Sequence, residues 1–202
     1  DLIDGALLRR GMPTLNARWS PAATVLTGDF LFARAAKLAA ETDYLPLMKL
    51  FAETLATIVN GELTQMFSAR GVIDRTNYYD RIYAKTASLF EMSSLAAAMV
   101  ATEDEAMRGS MKTFGYEVGM AFQIVDDILD FAGEQVSLGK PIGSDLRQGL
   151  ITLPSLYYIE NHPDDPVVSY MLTKGCLDED QQVRTMIQSV IDSDAIQQSL
   201  HE

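Results

Sequence analysis

"GMAFQIVDDILDF", residues 119–131, sets three aspartates into an apolar run, and how it is read decides the fold. Asp126 and Asp127 are adjacent, and Asp130 follows three positions later. Ionised carboxylates are rarely buried without a partner, so three of them here need a physical reason. Take a helix at about 100° per residue with Asp126 at zero: Asp130 then falls at about 40°, Gln123 at about 60° and Asp127 at about 100°. The four polar groups share one arc. Phe122, Val125 and Leu129 lie to one side of it, and Ile124 and Ile128 lie nearly opposite. A helix that is apolar around most of its circumference is expected to be buried, with its carboxylates lining an internal cavity. Gly115 and Gly119 fall near the same arc and leave open space beside it.

The neighbouring segments keep the helical period. Ser20 and Pro21 form a cap and first-position pair, so a helix is expected from there to about Thr42. A second is expected from Pro46 to about Arg70, closed by Gly71. Thr76 or Asp74 caps a third, which ends near Ala101. Thr102 with Glu105 has the capping-box spacing and opens a fourth, which carries the quoted stretch. Residues 132–149, AGEQVSLGKPIGSDLRQG, hold four glycines and a proline and read as a long loop, of a length that is usually functional or disordered. Short helices are expected from about Thr152 and Pro166, with another capped by Asp178. Strand-period alternation and βα patterns are absent from the sequence, so the expected class is all-α.

Composition bounds the function. With 202 residues, 48% hydrophobic and 22% charged, the chain is long and apolar enough for one folded domain with a sizeable core. No apolar run reaches the ~18 residues of a membrane span, so none is expected. The opening DLIDGALLRR has no apolar signal core. Cys176 is the single cysteine, which excludes an internal disulfide and a thiolate-rich metal site; a reducing, cytoplasmic setting is expected. A formal net charge of −12 makes nucleic acid and anionic membranes poor partners.

Carboxylates held a few ångströms apart repel by roughly 3 kcal/mol at an effective dielectric of about 20. A divalent cation is the simplest compensation, and an all-oxygen donor set favours Mg²⁺ or Mn²⁺ over zinc. Mg²⁺ commonly takes one or two carboxylates and completes its coordination with water and phosphate. The other end of the chain carries groups suited to such a ligand. Asp1 and Asp4 form a second carboxylate pair, and Arg9 and Arg10 follow. Guanidinium forks suit an anion bridged to metal on its other side. Lys85 and Thr86 stand mid-helix between apolar neighbours, and Lys140 lies in the glycine-rich loop. Each of these alone has a plain surface reading.

Taken in order, DLID, RRG, GDFLFARA, GELTQ, AKTASLF, FQIVDDILD and LGKPIGSDL resemble the trans-isoprenyl diphosphate synthases. The likeness is to the polyprenyl branch that includes geranylgeranyl and longer-chain synthases. It is strong from Asp1 to about Pro154 and looser beyond. The resemblance implies antiparallel helices around a central cavity, the isoprenoid synthase fold, and a homodimer. It also implies a prenyltransferase that condenses isopentenyl diphosphate with an allylic prenyl diphosphate, through metal-assisted ionisation to an allylic carbocation. By the same resemblance the metal set is Asp1, Asp4, Asp126, Asp127 and Asp130, and the cofactor is Mg²⁺, with Mn²⁺ as the alternative. Arg9, Arg10, Lys85 and Lys140 correspond to diphosphate-binding residues; Lys85, Thr86, Gln123 and Lys140 correspond to residues that contact the allylic substrate or its diphosphate, and Phe122 belongs to the family's Phe-Gln motif, so that Lys85, Thr86, Phe122 and Gln123 are the implied catalytic set.

Two departures from the family pattern stand out. Leu150 occupies a position where many members have a lysine near the diphosphate, so either that contact is dispensable or Arg147 replaces it. The chain is also expected to be one helical domain over 1–202 that lacks the family's N-terminal helices and last C-terminal helices. Two rival functions remain. A non-catalytic partner subunit of a synthase typically loses its aspartates, which this chain keeps. A terpene cyclase of related fold usually carries an Asn/Ser/Glu-type motif in place of DDILD.

Overall fold

Ser20 accepts a hydrogen bond from the Ala23 N–H at 3.3 Å and Pro21 takes the first helical position, so the first long helix starts where the sequence predicts. The computed structural model describes residues 2–3, 5–9, 11–67, 73–132, 142–174, 177 and 180–202. These fall into two units, one within residues 1–53 and the other drawn from 54–133 and 142–202.

The first unit opens with a small hairpin, β1 (Leu8–Arg9) and β2 (Met12–Pro13), paired antiparallel with Leu8 opposite Pro13 and Arg9 opposite Met12. This corrects the strand-free expectation. Strands two residues long carry no alternation to detect, and the turn uses Gly11 at φ 74°, a conformation that favours glycine. One turn of helix, α1 (Leu15–Arg18), leads to α2 (Pro21–Ala40) and the start of α3 (Leu45–Phe67).

The rest of α3 belongs to the second unit. Asp74 caps α4 (Arg75–Ile82): its carboxylate accepts the Thr76 N–H at 3.1 Å and the Asn77 N–H at 3.2 Å. Of the two caps the sequence allowed, Asp74 is the one used. The expected single helix to Ala101 is interrupted by a π-turn over Tyr83–Ala87 before α5 (Ser88–Ala101). The long helix α6 (Glu105–Ala132) is capped by Asp104, whose carboxylate takes the Ala106 N–H at 2.9 Å. The expected capping box at Thr102 is therefore corrected. Thr102 ends α5, its hydroxyl accepts the Asp104 N–H at 3.1 Å, and Glu105 turns to Arg108 at 2.6 Å.

Within the stretch expected to be loop, α7 (Ser144–Arg147) forms a single turn. It is followed by α8 (Leu153–Asn161), α9 (Pro166–Lys174), α10 (Asp180–Asp192) and α11 (Ala195–Leu200). Asp178, the expected cap of α10, lies outside the described residues. Tyr78, Leu153, Leu156, Val168, Met171 and Met186 are among the fully buried side chains of this unit. α5 and α6 run antiparallel at backbone contact. A Cβ on Gly115 would come 2.5 Å from the Phe90 carbonyl oxygen, and one on Gly119 would come 2.5 Å from Ala87 Cα. These glycines therefore make room for a neighbouring helix, where the sequence suggested open space for a cavity. The secondary structure is predominantly helical, as the pattern predicts, and no described helix is long and apolar enough to cross a membrane.

Candidate active site

The three aspartates of α6 occupy three different environments. Asp127 is buried at 3% exposure, Asp130 is half-buried, and Asp126 is exposed. The expected burial of the whole arc is corrected accordingly: Phe122, Val125 and Leu129 are 54%, 48% and 44% exposed, while Ile128 on the opposite side is 5% exposed. The helix buries one face only, and the boundary runs between the adjacent residues Asp126 and Asp127, about 100° apart.

Asp127 sits in a hydrogen-bonded chain. Tyr78 Oη donates to its Oδ2 at 2.9 Å, and Gln123 Nε2, one turn back on α6, donates to its Oδ1 at 2.9 Å. Thr86 Oγ1 donates in turn to Gln123 Oε1 at 2.8 Å. Burial pushes the Asp127 carboxyl up to about 7. The bonds from Gln123 and Tyr78 pull the other way, Asp145 adds to the rise and Arg81 opposes it. The Tyr78 hydroxyl is raised by its own burial and by the Asp127 charge. Arg81 is lowered by burial; it donates to the Ile151 carbonyl at 2.6 Å and lies 5.6 Å from the Tyr78 ring centroid.

Asp130 organises the turn that follows the glycine-rich segment. Its carboxylate accepts Ser144 Oγ at 2.7 Å and the Asp145 N–H at 3.1 Å, and its carbonyl accepts the Gly143 N–H at 2.8 Å. Gly143 has φ 66°, a conformation that favours glycine, and a Cβ there would also press on the Ile187 side chain. Asp126 has no hydrogen bond or ion pair among the described residues. An exposed carboxylate beside two anchored ones suits a hard divalent cation as a donor set. Among the described residues no three acidic, His or Cys side chains converge as a metal site.

The π-turn presents the sequence-predicted pair. Lys85 is exposed, and Thr86 turns toward Gln123. Such turns add one residue per hydrogen-bonded ring and occur often at functional sites. Phe122 packs against Phe90 with ring centroids 5.6 Å apart. Arg9, on β1, belongs to the first unit. Asp1, Asp4, Arg10 and Lys140 lie outside the described residues. Arg147, a candidate to replace the lysine missing at Leu150, pairs with Asp180 at 2.9 Å, which gives its charge a different partner.

Tyr78 and Arg81 escaped the sequence reading. Tyr78 falls one helical turn before Ile82, a spacing that marks a core face but carries no sign of a hydroxyl aimed at a carboxylate.

Comparison with known proteins matches residues 1–190 to the family model for polyprenyl synthetase. The octaprenyl diphosphate synthase of Haemophilus influenzae is 39% identical over 158 residues, which is 78% of this chain and 48% of that protein. Component 2 of the heptaprenyl diphosphate synthase of Geobacillus stearothermophilus is 38% identical over 200 residues, 98% of this chain and 62% of that protein. The chain thus spans about half to three-fifths of the length of these relatives. The crystal structure of heptaprenyl diphosphate synthase from Staphylococcus aureus superposes with a TM-score of 0.91 at 33% identity, covering 98% of this chain and 62% of that one. A polyprenyl synthase from Caulobacter crescentus, complexed with calcium and isoprenyl diphosphate, gives 0.86 at 33% identity, covering 100% and 62%.

Proposed function

From the premise that this chain belongs to the polyprenyl synthetase family, we propose that it carries the catalytic machinery of a trans-polyprenyl diphosphate synthase. The reaction is condensation of isopentenyl diphosphate with an allylic prenyl diphosphate. The observation that carries this reading is the Thr86–Gln123–Asp127 chain of hydrogen bonds beside the exposed Asp126. It sets polar groups against a carboxylate pole at the C-terminal end of α6.

In this reading Asp1, Asp4, Asp126 and Asp130 supply the carboxylate pole that would hold Mg²⁺ or Mn²⁺, while Asp127, with both oxygens hydrogen-bonded inside the fold, stands behind it. The calcium and isoprenyl diphosphate in the Caulobacter crescentus structure support a divalent metal with this substrate class. When bound, the metal neutralises the departing diphosphate. Arg9, Arg10, Lys85 and Lys140 hold diphosphate oxygens by charge-assisted hydrogen bonds. Lys85, Thr86 and Gln123 line the carbon from which diphosphate departs, where fixed dipoles act on developing positive charge. Phe122 and the apolar residues of α6 exclude water from the cation. The double bond of isopentenyl diphosphate then attacks it to form the new C–C bond, and the released diphosphate takes up the proton whose C–H electrons form the new double bond.

The proposal extends to one isoprenoid-synthase domain over residues 1–202 and to a homodimer. α2 supports the second copy: it has no buried residue, and Leu26, Phe30, Leu31 and Leu38 are each more than 60% exposed. The test of function is incubation of the full-length protein with labelled isopentenyl diphosphate, Mg²⁺ and allylic primers of several lengths, with sizing of the products. Elongation is expected in the wild type and its loss in Asp126→Ala; undiminished elongation in that variant contradicts the reading.

A further inference from the structure

The two adjacent aspartates of α6 face different surroundings, and their contacts give them different work. Both oxygens of Asp127 already take a donor from within the fold, Tyr78 Oη on one and Gln123 Nε2 on the other, each at 2.9 Å. At 3% exposure little room is left around it for a hydrated cation. Asp126 is exposed and has no such partners among the described residues.

The order of donors along the chain follows from chemistry. Gln123 Nε2 donates to Asp127 Oδ1, which turns Oε1 toward Thr86. Reversing the amide would put its oxygen against the carboxylate and its nitrogen against the Thr86 hydroxyl. With Oε1 in place, the Thr86 hydroxyl proton is taken up at 2.8 Å, and the free side of Thr86 Oγ1 is its lone pairs. The negative end of that hydroxyl then faces outward, toward positive charge.

We infer that Tyr78 and Asp127 are a positioning pair that fixes the Gln123 amide and, through it, the polarity of Thr86, while Asp126 is the member of the adjacent pair that meets metal. This rests on the synthase reading above. Tyr78 and Asp127 act through Gln123 and Thr86 without touching the reacting atoms. Thr86 stands on the π-turn and Gln123 on α6, so the pair also holds two separate elements in register at the site.

The test separates metal binding from chemistry. Mn²⁺ binding to the full-length protein in the presence of inorganic diphosphate is followed by electron paramagnetic resonance in the wild type, D126N, D127N and Y78F. Steady-state kinetics run in parallel. Y78F keeps the ring in its packed position, and D127N keeps an oxygen that accepts from Gln123, so both are expected to fold; thermal melts check this. D126N is expected to raise the Mn²⁺ dissociation constant by about ten-fold or more, with D127N and Y78F within about two-fold of wild type. Y78F is expected to lower kcat by about ten-fold with both KM values unchanged, since misplaced catalytic groups cost turnover. A loss of Mn²⁺ affinity in D127N equal to that in D126N overturns the inference, as does an unchanged kcat in Y78F. Unweakened Mn²⁺ binding in D126N overturns the metal reading beneath it and takes the inference with it.

Discussion

At Asp127, burial and hydrogen bonding work against each other, and burial prevails: the carboxyl is pushed up to about 7 despite donors from Gln123 and Tyr78. In the folded protein this group keeps its proton to higher pH than in the unfolded chain. The native state therefore binds more protons over that interval, and stability is lost as pH rises from the ordinary carboxyl range toward about 7. Asp127→Asn removes the ionisation. In metal-free protein with chelator present, the variant is expected to gain more melting temperature over wild type at pH 8 than at pH 5. An equal difference at both values contradicts the burial argument. The arc of Gln123, Asp126, Asp127 and Asp130 was legible in the sequence because helical period fixes angles. The division of labour inside it was not, since the donor to Asp127, Tyr78, is 49 positions away.

At the scale of elements, the approach of α6 to α5 and the π-turn sets the site's geometry. A side chain on Gly119 would meet Ala87, the last residue of the π-turn that carries Lys85 and Thr86. Gly119→Ala is expected to destabilise by about 1–3 kcal/mol, the usual cost of overpacking a close contact. Gly109, on the same helix, has nothing within 4 Å of a built Cβ. Gly109→Ala is expected to stabilise by about 0.5–1 kcal/mol through helix propensity alone. Urea melts of the two variants check the contrast, and shifts of the same sign contradict it. Ser20 and Pro21 announced α2 by chemistry that acts within four residues. The π-turn gave no such notice, because one extra residue per turn leaves composition and capping unchanged. Thr102 misled because the capping-box pattern also fits a residue that closes one helix while the next begins three positions on.

For the whole molecule, the open question is what covers the exposed apolar side chains of α2. A second copy of the chain is the occupant proposed above, and Phe30→Glu on that helix is expected to shift the protein from dimer to monomer in sedimentation velocity. Unchanged sedimentation would place the partner surface elsewhere. The all-α class was legible from helical period and capping residues, and the family resemblance from motifs whose fixed order leaves few alternatives. The contact of Tyr78 with Asp127 is a relation between distant segments, and local sequence carries no geometry for it. Asp1, Asp4 and Arg10 lie outside the described residues. The central claim, that the Asp126 end of α6 holds a divalent metal together with diphosphate, is tested most directly by anomalous diffraction from Mn²⁺ in crystals of the full-length protein soaked with diphosphate. The predicted result is anomalous density within about 2.3 Å of the Asp126 carboxylate, with diphosphate bound beside it. Manganese bound away from Asp126, or diphosphate bound without metal, would contradict it.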